Sequence, residues 1–285
     1  MTTDPLVDAN GSIGIFDSGV GGLSVLRNIW QEMPGVPTIY IADQEHVPYG
    51  ARPLEEVRVY AEGITRYLLD SGSEIIVVAC NTASAAGLHY LRDIYPTVHF
   101  VGMEPAVKPA AEKTSSGVVG VLATPATFQG ALYASVVERF AGGVELVQQT
   151  CLGLVSRIES GELDTPETRR ILEEAIQPMR SEGVDTIVLG CTHYPFVIPL
   201  VEQIAGPDVR VIDPAPAVAR QVKRVAEKLY SQGLNDYAKS SVNEYITFHQ
   251  FITSGDPETF STQISSLLDI TAEVARLEWK NGELS

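Results

Sequence analysis

Hydrophobic and polar residues alternate along the chain in two recurring patterns. Short β-branched runs, "IGIFD", "TIYIAD", "EIIVVA", "VHFVGM", "VVGVLA", "VELVQQ", "TIVLG" and "VRVID", are nearly continuous in apolar residues. Such runs suit strands covered on both faces of a parallel sheet. Between them lie helical spacings. "GLSVLRNIWQEM" sets Leu23, Leu26, Trp30 and Met33 on one face. "RPLEEVRVYAEGITRYLLDSG" has Pro53 at its first turn and Gly72 as its stop. "TPETRRILEEAIQPMRSEG" opens with Thr165 as N-cap, Pro166 and acidic residues, and Pro178 kinks or ends it. Strand–helix alternation of this kind predicts an α/β fold with helices on both sheet faces. Near the end, "EYITFHQFITSGDPETF", from Glu244, reads as a strand, a turn and a helix start. "SSLLDITAEVARLEW" adds a short helix and a small edge strand, and residues after Trp279 fray.

The two halves of the pattern resemble one another. "IGIFDSGVGG" and "VVGVLATPAT" each run from a strand into a small-residue turn and a helix. "EIIVVACNTAS" and "TIVLGCTHYP" each run from a strand to a cysteine, with a threonine within two residues. Two similar doubly wound α/β domains with mostly parallel sheets are therefore expected, facing one another across a cleft. The turn-rich crossings near Gly102–Pro105 and Asp213–Pro216 place residues 1–102 and 213–285 in the first and 103–212 in the second.

Composition narrows the function. With 285 residues, a sizeable core is possible. A net charge of −16 disfavours nucleic acid or an anionic membrane surface as partner. No apolar run reaches bilayer length, and "MTTDPLVDANG" lacks a charged-then-apolar leader pattern. Three cysteines, Cys80, Cys151 and Cys191, are an odd number with no zinc spacing. Free thiols in the cytoplasm and no metal are the expectation.

Cys80 and Cys191 end strands, where open α/β sheets bind ligands. Each precedes an expected helix, residues 83–95 and 195–205, whose N-terminal N–H groups would lower a thiol pKa. Two opposed thiols suit one reaction in particular. One removes a proton from one face of a carbon, and the other returns a proton to the opposite face. Cys151 reads as a core thiol. His193, two residues past Cys191, has a pKa suited to proton handling. Asp17 and Ser18 end the first strand as a capped turn, and "GVGG" after them is not a dinucleotide fingerprint.

"IGIFDSGVGGLSVL", "VPYG", "ACNTAS", "MEPAVKPA", "GVLATPATF", "GCTHYP", "IDPAPAVA" and "SGDPETF" together resemble the glutamate racemases, from about Ile13 to Phe260. The resemblance implies a cofactor-independent isomerase that interconverts L- and D-glutamate with two thiols and supplies D-glutamate for peptidoglycan. It implies that Cys80 takes the α-proton of D-glutamate and Cys191 that of L-glutamate. Asp17 would assist Cys80, and His193 favours glutamate over aspartate. Substrate contacts would come from Asp17, Ser18, Pro48, Tyr49, Gly50, Asn81, Thr82, Thr124, Thr127, Thr192 and His193. Glu159 aligns with a family acid near the substrate ammonium, although "CLGLVSRIE" departs from the usual segment and a surface helix glutamate is the competing reading. "ADQEHVPYG" is a second departure. Family members often form dimers, so a homodimer is expected. Three alternatives stay open: a racemase of aspartate or a hydantoin, a cysteine hydrolase with one nucleophile, and a two-lobed binding protein.

Overall fold

The computed structural model describes residues 11–229, 249–280 and 282–285. Among the described residues, ten parallel strands form two sheets. The first holds β1 (Ser12–Asp17), β2 (Thr38–Ala42), β3 (Ser73–Val78), β4 (His99–Gly102), β9 (His249–Thr253) and β10 (Val274–Arg276), in the order β10-β9-β2-β1-β3-β4. The second holds β5 (Val118–Ala123), β6 (Glu145–Gln149), β7 (Thr186–Gly190) and β8 (Arg210–Ile212), in the order β6-β5-β7-β8. All eight apolar runs of the sequence lie on strands. Of the expected strand beginning at Glu244, residues 244–248 lie outside the described residues, as do residues 1–10.

The period-2 alternation of a strand sends neighbouring side chains to opposite faces. Ile13, Ile15, Ile75 and Val77 enter one core, which also takes Ile187 and Leu189 from the second sheet. Phe16, Ile76 and Val78 enter the core on the other face of the first sheet. Val119, Val121 and Val188 form a third core behind the second sheet. Burying each such side chain contributes roughly 1.5–3 kcal/mol. The shared core makes the two sheets neighbours, and the helix Ala215–Leu229 packs back onto the helix Leu23–Glu32 of the first.

Strand order fixes where ligands can bind. From β1 the chain moves to one side for β2 and to the other for β3; from β5 it does the same with β6 and β7. The crevice at such a switch point, outside the strand C-termini, is where open sheets hold ligands. Asp17 and Cys80 follow β1 and β3, and Thr124 and Cys191 follow β5 and β7.

Local expectations are met at Pro53, which stands directly before the helix Leu54–Asp70, and at Thr165, whose Oγ1 accepts the Thr168 N–H at 3.2 Å. Three differ. Pro178 does not end its helix, which runs from Pro166 to Ser181. Cys191 is followed by a short 3-10 turn, Tyr194–Val197, before the α-helix Ile198–Ala205, because Pro195 and Pro199 interrupt the backbone N–H ladder. The stretch after Trp279 is a paired hairpin: Trp279–Lys280 is antiparallel to Glu283–Leu284, Leu284 is buried, and the Trp279 indole N–H donates to Asp43 at 2.7 Å.

Candidate active site

A small, narrow cavity lies where the two switch points meet. From the first sheet come Ser18, the loop Pro48–Tyr49–Gly50, and Cys80 with Asn81 and Thr82 behind it. From the second come Thr124, Val155, Cys191, Thr192 and His193. The two thiols thus line one cavity from different sheets. Asp17, Thr127 and Glu159 stand behind this wall and touch its members. Val155 was missed by the sequence reading, since nothing in a valine's local pattern marks it as a lining residue. Cys151 is a buried core thiol, pushed up to about 12 by burial.

Cys80 caps the helix Asn81–Ile94, and its Sγ accepts the Ala83 N–H at 3.4 Å. The helix terminus does not lower this thiol's pKa as expected. Burial pushes it well above its ordinary value and the negative charge of Asp17 adds to that; the Ala83 N–H opposes only part of it. A high pKa makes Cys80 a thiol in the closed cavity and a strong base once ionised. Asp17 is fully buried. Its Oδ1 accepts the Ser18 N–H at 2.7 Å, and its Oδ2 accepts the Thr192 hydroxyl of the other sheet at 2.7 Å. Burial raises its pKa, and His193, Thr192 and Ser18 pull it back down.

Across the cavity, Cys191 Sγ lies 3.8 Å from His193 Nδ1. His193 Nε2 meets Glu159 Oε1 at 2.6 Å. Burial alone would lower the His193 pKa, but Cys191 and Glu159 together hold it well above 6.5. These two partners favour the protonated ring, which stands where it can exchange a proton with Cys191. Glu159 is not the surface glutamate of the competing reading. Its side chain is 11% exposed and also accepts the Val20 N–H at 2.8 Å. It touches His193 from behind the cavity wall.

The cavity floor is polar. The hydroxyls of Thr82 and Thr124 are 3.0 Å apart, and those of Thr124 and Thr127 are 2.9 Å apart. Both polar side-chain atoms of Asn81 are buried and without a protein partner. A buried amide left unpaired costs about 1–3 kcal/mol, which a polar ligand can recover. Tyr49 is held in the wall by its hydroxyl, which donates to Asp43 at 2.5 Å. Arg52 turns away, donating to the His46 carbonyl and pairing with Glu56. Among the described residues, no cluster of three or more His, Cys, Asp or Glu is placed to hold a metal ion.

The "GVGG" turn lets the two sheets approach. A Cβ on Gly21 would fall 2.4 Å from His193 Nδ1 and 2.5 Å from Thr192 Oγ1. Gly21→Ala is expected to displace both side chains and to cost about 1–3 kcal/mol, as overpacking does. Thermal unfolding checks the stability, and an activity assay checks the displacement.

The chain belongs to the Asp/Glu/hydantoin racemase family, whose model matches residues 13–222. A glutamate racemase of Roseiflexus sp. (strain RS-1) is 48% identical over 255 residues, spanning 90% of this chain and 91% of its own. The fold matches a crystal structure of the glutamate racemase isoform RacE1 from Bacillus anthracis, with a TM-score of 0.81 and 28% identity, over 96% of this chain and 98% of that one. It also matches glutamate racemase from Francisella tularensis subsp. tularensis SCHU S4 in complex with D-glutamate, with a TM-score of 0.79 and 25% identity, over 95% and 98% of the two chains.

Proposed function

We propose that this chain is a glutamate racemase, interconverting L- and D-glutamate by two-base proton transfer at the α-carbon. The observation that carries the reading is the placement of Cys80 and Cys191 on one cavity from two different sheets, each with its own proton partner. The relatives and solved structures named above support the substrate.

In one direction the Cys191 thiolate removes the α-proton of L-glutamate and the Cys80 thiol delivers a proton to the other face. In the reverse direction the roles exchange. An α-hydrogen of an amino acid is very weakly acidic, so the developing negative charge must be stabilised in a water-poor site. Asn81 and the hydroxyls of Ser18, Thr82 and Thr124 supply donors for the substrate's carboxylates. His193 holds a proton next to Cys191, and Asp17 stands beside Cys80. The reading calls for no added cofactor. It takes residues 1–102 with 213–285 and residues 103–212 as two units that close on the substrate. It also takes the protein to act in the cytoplasm, as a homodimer, with D-glutamate destined for peptidoglycan. Among the described residues no helix is long and apolar enough to cross a membrane.

Polarimetry with purified protein tests the substrate. Loss of optical rotation is expected with L- or D-glutamate and at least about 100-fold slower with L-aspartate, since one methylene displaces the distal carboxylate from its donors. Equal rates with aspartate, or racemisation of a hydantoin alone, would overturn the choice of glutamate.

A further inference from the structure

Glu159 sits on the second sheet's side of the molecule, at the end of the helix Leu154–Glu159, yet two amides from the first sheet's side hold it. Gln44 follows β2, and Gln263 lies on the helix Pro257–Leu268. Gln44 Nε2 donates to Gln263 Oε1 at 2.7 Å and to Glu159 Oε2 at 3.3 Å. Gln263 Nε2 donates to the Glu159 backbone carbonyl at 2.6 Å. The Thr253 hydroxyl donates to Gln44 Oε1 at 2.9 Å. These partners fix the orientation of both amides. Turning Gln44 over would set its oxygen against two oxygens and its N–H group against a hydroxyl donor. Gly255 leaves room for it, because a Cβ there would fall 2.8 Å from Gln44 Cβ. Gln44 also lies in "ADQEHVPYG", one of the two segments where this sequence departs from the racemase pattern.

We propose that Gln44 and Gln263 are positioning residues for the Cys191 half of the reaction, clamping Glu159 so that its carboxylate holds His193 against Cys191. The inference rests on the proposed racemase reading. The chain of contacts is continuous: Gln44 and Gln263 to Glu159, Glu159 to His193 at 2.6 Å, and His193 to Cys191 at 3.8 Å. It crosses from one sheet to the other, so it also ties His193 to the relative placement of the two sheets. Cys80 has its own partner in Asp17 and is not part of it.

The test uses Gln44→Leu and Gln263→Leu in the full chain, with α-deuterated L-glutamate and α-deuterated D-glutamate as separate substrates. Each variant is expected to lower kcat/KM about three- to tenfold, the worth of one or two lost hydrogen bonds. The decisive reading is the isotope effect. Slowing the transfer at Cys191 makes that step more rate-limiting, so the effect on kcat/KM should rise with deuterated L-glutamate and fall with deuterated D-glutamate. A loss of activity with both isotope effects unchanged, or shifted together, would overturn the proposal and leave the amides a structural role. If either leucine variant fails to fold by circular dichroism, Gln44→Ala and Gln263→Ala give the same reading. A wild-type protein that does not racemise glutamate refutes the underlying reading instead, and is separated from these outcomes by the control reaction.

Discussion

Cys191→Ala is expected to slow racemisation of glutamate by about 10³-fold, and Cys80→Ala by a comparable factor, the range for loss of a positioned acid or base. The reason is geometric. The thiols line one cavity from the C-terminal ends of β3 and β7, and in the proposed reaction each serves its own face of the α-carbon. Neither can stand in for the other. Alanine removes only the sulfur from a buried site, so the fold should survive, which circular dichroism checks. Polarimetry at saturating L-glutamate gives the rate. An enzyme with one working base would lose activity in one variant and keep it in the other, and that pattern would contradict the account.

Glu159→Gln is the second large effect, with an expected loss of about 10- to 100-fold at neutral pH, as when the partner that orients a working histidine is removed. Its sign follows from the balance at His193. Burial favours the neutral ring, while Cys191 and Glu159 favour the charged one and prevail. Removing the Glu159 charge takes away part of what opposes burial, and the His193 pKa falls. The variant's deficit should therefore grow as pH rises through the lowered pKa. The same pair acts on stability. Because the folded pKa is raised, the stabilisation is complete below the unfolded value of about 6.5 and is lost as pH rises through the folded pKa. Nuclear magnetic resonance titration of the His193 ring reads the shift directly. A ring that titrates alike in both proteins would show that Glu159 does not hold its proton.

The sequence carried the strands and the thiols because both are local signals. β-Branched runs such as "EIIVVA" and "TIVLG" cannot bury themselves except in a sheet covered on both faces, and the cysteines follow two of them directly. The partners of those thiols were less legible. Asp17 is next to a recognisable turn, yet its bond to Thr192 joins residues far apart in the chain. Glu159 sits in a six-residue helix whose short pattern cannot show which face meets His193. The expected lowering of the Cys80 pKa failed for a similar reason: a helix terminus is visible in sequence, whereas complete burial beside Asp17 is not. Gln44 and Gln263 carry no local signal, and only tertiary contact joins them to the site.

The central claim is tested most directly by the reaction in heavy water, stopped early, with the α-position of both enantiomers analysed by mass spectrometry. Starting from L-glutamate, the D-glutamate formed should carry solvent deuterium at the α-carbon while the remaining L-glutamate carries essentially none, because the proton taken by Cys191 and the deuteron given by Cys80 are on different atoms. D-Glutamate that keeps the original α-hydrogen would mean that a single group moves it across, and would contradict the two-base account.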